Sequence, residues 1–259
     1  MKENKYNNQE FFSKYAQMER SKSGLEAAGE WSELRNILPD FHNKKVLDLG
    51  CGYGWHCKYA VENGASYVLG TDISSKMLER ATSKNSDEKI TYQCIAMEDL
   101  CLELDSFDVV LSSLALHYIE DLAMLFSNIY MCLTTGGQFV FSVEHPLFTA
   151  SGLQDWIYDV KGKKEYFPVD NYFYEGKGKK EYFPVDNYFY EGKRKVSFLG
   201  EEVTKYHRTL TTYLNTLLQL GFELQHVIEP QPPEQMLVFE EMHDELRRPM
   251  MLIVSARKK

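Results

Sequence analysis

Val46-Leu-Asp-Leu-Gly-Cys-Gly-Tyr-Gly54 is the stretch on which the reading of this chain turns. A short apolar run, Lys45–Leu49, breaks into a glycine-rich turn. Trp55–Glu62 then follows with helical periodicity until Asn63-Gly64 stops it. Glycines at such a turn accept positive φ and let the backbone approach a ligand closely. A dinucleotide-binding turn wants its third glycine at position 55, where Trp55 stands, so the pyrophosphate-cradling G-x-G-x-x-G is absent and a dehydrogenase is disfavoured. Asp48 lies inside the strand, two residues before the first glycine, where a carboxylate can hold a cationic group above the turn. A second acid, Asp72 in Thr-Asp-Ile, follows 22 residues after Gly50, and its natural task is a bidentate hydrogen bond to two ribose hydroxyls.

Outward from this turn, strand-like and helix-like runs alternate. Tyr67–Thr71, Ile90–Ile95, Phe107–Ser112 and Gln138–Val143 read as strands. A helix capped by Ser74 or Ser75 runs to about Lys84, and Leu122–Leu133 is a helix closed by Gly136-Gly137. This rhythm implies right-handed β-α-β crossovers and a largely parallel α/β sheet. Residues 1–44 are polar and mostly helical in pattern, with Leu34, Ile37 and Leu38 as a short apolar face before Pro39. After Pro146 the rhythm breaks. Residues 147–205 are rich in aromatics, Gly and Lys, and then the pattern resumes with helix Leu210–Leu220, strand Phe222–Ile228 and a last strand Met250–Ala256.

These motifs resemble the class I S-adenosylmethionine-dependent methyltransferases. VLDLGCGYG is similar to that family's first motif and TDIS to its ribose-binding acid. Ala96-Met97-Glu98 resembles the segment bordering adenine, FDVVLSSLALHYI the fourth strand with its substrate-facing loop, and LTTGGQFVFSV the later L-x-P-G-G turn, with Thr135 in place of Pro. The resemblance covers residues 40–145 well and 207–256 more loosely. It implies a Rossmann-like, mostly parallel seven-stranded sheet flanked by helices, with an aromatic-rich insertion after the fifth strand. It also implies S-adenosylmethionine as cofactor and no metal. By carry-over, Gly50, Cys51 and Gly52 lie against the methionine portion and Asp48 faces its ammonium side, directly or through water. Asp72 takes the ribose hydroxyls, Ile73 and Met77 sandwich adenine with Met97, and Glu98 or the backbone near it meets the adenine amino group. Ser113 or Leu114 closes the methionine end with a backbone carbonyl.

A sulfonium is already a good leaving group, so methyl transfer asks mainly for alignment and exclusion of water, and for a base only if the acceptor must lose a proton. His117 follows the fourth strand and His145 the fifth, at the strand ends where open α/β sheets bind ligands; each is a candidate base or a turn-capping histidine, and Glu144 is a similar candidate. The aromatic insertion, including Tyr182, Phe183, Tyr188, Phe189 and Tyr190, reads as a lid over the acceptor or as a β-hairpin packed on the domain. Tyr15 and Arg20 are placed similarly to substrate-capping helices of related enzymes.

The organisation expected is one domain: a helical cap over 1–44, a cofactor-binding core over 45–145, an insertion over 146–205, and closing elements over 206–259. Of the 259 residues, Lys161–Gly176 recurs letter for letter as Lys177–Gly192, a 16-residue period seen only twice and too short for a solenoid. It reads as a recent duplication or a sequence error rather than as a selected feature. A net charge of −9 disfavours a nonspecific grip on nucleic acid, so a small-molecule acceptor is expected, with an RNA methylase or a noncatalytic cofactor-binding module as alternatives. The first residues lack the apolar core of a secretion signal, no apolar stretch approaches membrane-spanning length, and five cysteines without C-x-x-C spacing read as reduced thiols. A cytoplasmic location is the expectation. Neither the atom methylated nor the oligomeric state leaves a mark in the sequence.

Overall fold

The computed structural model describes residues 2, 4–150, 157–166, 187–238 and 240–259. The N-terminal segment forms three short helices, α1 (Gln9–Tyr15), α2 (Glu19–Ser23) and α3 (Trp31–Ile37). Then β1 (Lys45–Leu49), α4 (Trp55–Glu62), β2 (Tyr67–Asp72), α5 (Ser75–Lys84), β3 (Ile90–Cys94), β4 (Phe107–Ser113), α6 (Leu122–Cys132) and β5 (Leu133–Glu144) follow in strict alternation save between β3 and β4. A short α7 (Pro146–Ala150) leads into two hairpins, β6 (Ile157–Tyr158) with β7 (Lys164–Tyr166), and β8 (Gly192–Phe198) with β9 (Glu201–His207). The chain closes with α8 (Leu210–Leu220), β10 (Phe222–Ile228), α9 (Glu240–Glu245) and β11 (Met251–Lys258).

Among the described residues the main sheet has seven strands in the order β10-β11-β5-β4-β1-β2-β3. β11 alone runs antiparallel to its neighbours, between β5 and β10. The chain leaves β1 toward β2 and β3, then returns to β4 on the other side, so the strand order reverses at β1. That reversal opens a crevice at the carboxyl ends of β1 and β4.

Pleat alternation assigns each strand residue to a helical layer. Leu47, Leu49, Val110, Phe139 and Phe141 pack with α6 and α8 through Phe126, Ile129, Tyr213 and Leu217. Val46, Val68, Val109, Leu111 and Val140 pack on the opposite face with Trp31, Leu34, Ala60 and Leu78 from α3, α4 and α5. A third, smaller cluster joins Phe11 of α1 to Val196 and Val203 of the β8–β9 hairpin, with Tyr6, Tyr118 and Phe198 against it. It covers the crevice with two chain segments that lie outside the main sheet.

One element departs from the sequence reading. β5 begins at Leu133, where the helix was expected to continue, and runs through Gly136-Gly137. Its register slips between Phe107↔Leu133 and Val109↔Gln138, so the extra residues bulge out of the ladder. The stretch read as a lid or as a packed β-hairpin contains the β8–β9 hairpin. Most of the tandem repeat, with Tyr182 and Phe183, lies outside the described residues.

Candidate active site

The turn after β1 is fixed before any side chain is considered. The N–H groups of Gly50 and Cys51 both donate to the Thr71 carbonyl of β2, at 2.8 and 2.9 Å. Gly50 has φ 72° and is packed so closely that a Cβ there would lie 2.5 Å from Ala115 Cβ and 2.9 Å from Met97 Cε. Gly52 has φ 55° and the opposite environment, since a Cβ would meet nothing within 4 Å. One glycine is required by packing, the other leaves bare backbone facing open space.

Asp72 ends β2 beside that bare backbone. Its carboxylate accepts the Gly52 N–H at 3.0 Å on one oxygen and the Ser74 N–H at 2.8 Å on the other. Burial pushes this carboxyl up to about 6, while these backbone donors oppose the shift. A carboxylate offers about four lone-pair directions, so two remain for a ligand.

A cavity of about 410 Å³ opens here. Gly50, Gly52, Asp72, Ile73, Met77, Met97, Glu98, Ser113 and Leu114, nine of the residues expected at the cofactor, all line it. So do the candidate bases His117 and Glu144, and Tyr15 and Arg20 from the N-terminal helices. Leu114 stands at φ 52°, a left-handed conformation costly for a non-glycine residue, held by its N–H donating to the Ser142 carbonyl at 2.9 Å.

Three expected residues lie elsewhere. Asp48 is 1 % exposed and outside the cavity wall, because its place in the pleat turns it toward α4, where it accepts the Cys57 thiol at 3.2 Å. Burial pushes its carboxyl up to about 7, against the Cys57 hydrogen bond and with help from the Asp72 charge. Cys51 lines a neighbouring hollow of about 70 Å³ together with Tyr53, Trp55 and His56. His145 was expected beside the acceptor, but it is 2 % exposed and away from the cavity: its Nδ1 accepts the Leu147 N–H at 3.1 Å and its Nε2 lies 2.8 Å from Glu229. It braces the turn after β5.

His117 is different. It is 3 % exposed, lines the cavity, and its Nδ1 is buried without a hydrogen-bond partner among the described residues. Burial pulls its imidazolium down to about 4, with Glu144 opposing and Lys205 and Arg208 adding to the fall, so the ring is neutral at physiological pH. Glu144, at the end of β5, forms an ion pair of 2.5 Å with Lys205 of β9.

Several cavity residues carried no signal in the sequence. Lys205 and Phe198 come from the hairpin, with the ammonium 5.2 Å from the Phe198 ring centroid. Tyr6 bridges the cavity mouth to Tyr118, hydroxyl to hydroxyl at 3.2 Å. Asn4 donates to the Ile73 carbonyl at 3.1 Å, and Asn7 accepts the Ser74 hydroxyl at 2.7 Å, so the N-terminal segment straps across the same opening. Arg20 pairs with Glu30 at 3.0 Å in the cavity wall. An alternating Lys/Val/Phe pattern over 192–207 marks a hairpin, yet nothing local says that it folds back over β5.

A parallel sheet reversing at β1, a glycine turn, an acid at the end of β2 and a cavity above them define the architecture of a nucleoside-binding transferase. A family model described as a methyltransferase domain matches residues 47–141. A solved structure from Listeria monocytogenes, assigned as an S-adenosylmethionine-dependent methyltransferase, is 50% identical, with a TM-score of 0.78, covering 90% of this chain and 99% of that one. An S-adenosylmethionine-dependent methyltransferase from Mesorhizobium loti is 44% identical with a TM-score of 0.78, over 91% of this chain and all (100%) of that one. The malonyl-[acyl-carrier protein] O-methyltransferase of Erwinia billingiae is 33% identical over 132 residues, which is 51% of each chain, so this chain spans about half the length of that relative. The chain belongs to the class I S-adenosylmethionine-dependent methyltransferases.

The cavity suits that cofactor on its own terms. Apolar Ile73, Met77 and Met97 offer walls for a flat base, Asp72 offers acceptors for a diol, and the unobstructed side of Gly52 leaves room for an amino-acid tail.

Proposed function

We propose that this methyltransferase acts on a small-molecule acceptor held under the β8–β9 hairpin, and that it does so in the cytoplasm. The observation that carries the reading is the cavity itself. One continuous space of about 410 Å³ runs from Asp72 to His117 and Glu144, with the N-terminal segment and the hairpin in its wall, a size suited to a small molecule. The overall charge of −9 supports the same conclusion. The five cysteines are free thiols, as cytoplasmic chains keep them.

In this reading Asp72 binds the ribose hydroxyls, Ile73, Met77 and Met97 flank the adenine, and Glu98 lies near its amino group. Gly50, Gly52, Ser113 and Leu114 follow the methionine tail, while Asp48 and Cys51 support the turn from behind. When bound, S-adenosylmethionine supplies a methyl group on a sulfonium, activated without further chemistry. What the chain adds is alignment and dryness. Tyr6, Tyr118 and Phe198 shut the acceptor end away from water. His117, neutral and facing the cavity, takes the acceptor's proton where one must leave, and Glu144 fixes the acceptor beside it.

The test is to supply methyl-labelled cofactor together with a bacterial extract and to separate small molecules from macromolecules. Label in the low-molecular-mass fraction, lost on His117→Ala, is the expected result. Label confined to RNA or protein contradicts the reading.

A further inference from the structure

The acceptor end of the cavity is more specific than its volume suggests. Glu144 is a carboxylate and has no hydrogen to give. His117 is buried and neutral, and a buried ring nitrogen without a partner is costly unless a ligand supplies one. The cationic donor nearby, Lys205, is already engaged by Glu144 and lies over Phe198. With its proton on Nε2, His117 offers Nδ1 as an acceptor, so two acceptors, this nitrogen and the Glu144 carboxylate, face the reacting group. Around them stand the rings of Tyr6, Tyr118 and Phe198 and the thioethers of Met250 and Met251. The lining as a whole carries six carboxyl side chains against three basic ones, Lys2, Arg20 and Lys205. An anionic acceptor would enter against that field. A hydroxyl would bring one hydrogen to two acceptors. An amine brings two or three, and its positive charge suits both the carboxylates and the aromatic faces.

We propose that the methyl acceptor is a small amine on an apolar body, its nitrogen held between the Glu144 carboxylate and the His117 imidazole. Lys205 is the positioning residue: from β9 it fixes Glu144 at the end of β5. The proposal rests on the reading that this cavity performs methyl transfer to a small molecule. At the cavity mouth the ammonium releases one proton to solvent, and the free amine then donates its N–H groups to Glu144 and His117. The freed nitrogen lone pair then forms the bond to the methyl carbon as the carbon–sulfur bond breaks, its electron pair remaining on sulfur as a neutral thioether. The product is a methylated ammonium that leaves with or without a further proton.

The hairpin thereby becomes a specificity element. Phe198 and Lys205 belong to its two strands, and the cluster of Phe11, Val196 and Val203 seats it over the site. Without Lys205, Glu144 would lose the ammonium that holds it at the end of β5.

The test uses the whole protein with carbon-13 methyl-labelled S-adenosylmethionine and the low-molecular-mass fraction of a bacterial extract. Proton–carbon correlation spectra then separate methyl groups on nitrogen from those on oxygen, sulfur or carbon. The expected signals are N-methyl, weakened about a hundredfold in rate by Glu144→Gln. Lys205→Met lowers kcat/KM by about tenfold, the weight of one charge-assisted hydrogen bond. Lys205→Arg restores it. Independently of turnover, protein saturated with S-adenosylhomocysteine binds phenethylamine more tightly than phenethyl alcohol. Glu144→Gln erases that preference while S-adenosylhomocysteine affinity stays unchanged. Label on oxygen, sulfur or carbon, equal binding of alcohol and amine, or no nitrogen methylation at all overturns the proposal. Label found only on macromolecules overturns instead the small-molecule reading beneath it.

Discussion

Asp48 and Asp72 stand near the carboxyl ends of neighbouring strands, and burial pushes both carboxyls up, yet only Asp72 reaches the cavity. The difference makes separate predictions. In its proposed role Asp72 must be ionised to accept two hydroxyls, and in the free protein it takes up a proton below about pH 6. Cofactor affinity is therefore flat above that value and falls below it by up to about tenfold per pH unit, as calorimetry with S-adenosylhomocysteine at several pH values would reveal. Asp48 affects stability instead. Its carboxyl ionises near 3.8 when unfolded and near 7 when folded, so as pH rises through that window the unfolded chain loses its proton first and stability falls. Asp48→Asn removes the penalty. The ligand-free variant should melt higher than wild type at pH 8, with the gain shrinking toward pH 4; an equal shift at both ends would contradict the assignment. The two acids were legible in the sequence by position, but which one faces the ligand was not. That choice belongs to the pleat, which gives Asp48 to the α4 face and to Cys57.

At the scale of elements, agreement with the sequence follows the strength of local stop signals. α4 ends at Asn63-Gly64 and α8 at Gly221, whose φ of 96° only glycine adopts freely, and both helices occupy the expected residues. β5 differs because Gly136-Gly137 was read as a helix terminator, while the folded chain uses these residues in a bulge inside the strand. A Cβ on Gly137 would lie 2.8 Å from the Thr134 carbonyl and 3.0 Å from that of Asp108. The hairpin could not be placed from sequence, since its seat on Phe11 joins residues far apart in the chain. That seat has a measurable weight. Phe11 is fully buried at 0% exposure, and Phe11→Ala should cost about 3 kcal/mol in denaturant unfolding, with faster proteolysis of the hairpin. Little change in either would mean that the cap does not depend on this cluster.

Across the whole molecule, the cofactor half of the site was the readable part, because its residues cluster at strand ends within 48–114 and obey spacing rules set by one turn. The proposed acceptor half draws on Tyr6, Tyr118, Glu144, Phe198 and Lys205, gathered from four separate segments, and no local pattern links them. The tandem repeat falls between these halves. Its second copy ends at Gly192, the first residue of β8, so removing Lys161–Gly176 leaves the strand and the join to it intact. Deletion should leave S-adenosylhomocysteine affinity unchanged and alter only acceptor turnover; lost cofactor affinity would show that the insertion reaches further than the hairpin. In the proposed reading, Asp72 and the turn after β1 hold S-adenosylmethionine in this cavity. Calorimetric titration of wild type and Asp72→Ala with S-adenosylhomocysteine tests it most directly. Wild type should bind at one site and Asp72→Ala at least about tenfold more weakly, as expected for two lost hydrogen bonds to a charged group. Equal affinity in the two proteins, or no binding by wild type, would contradict it.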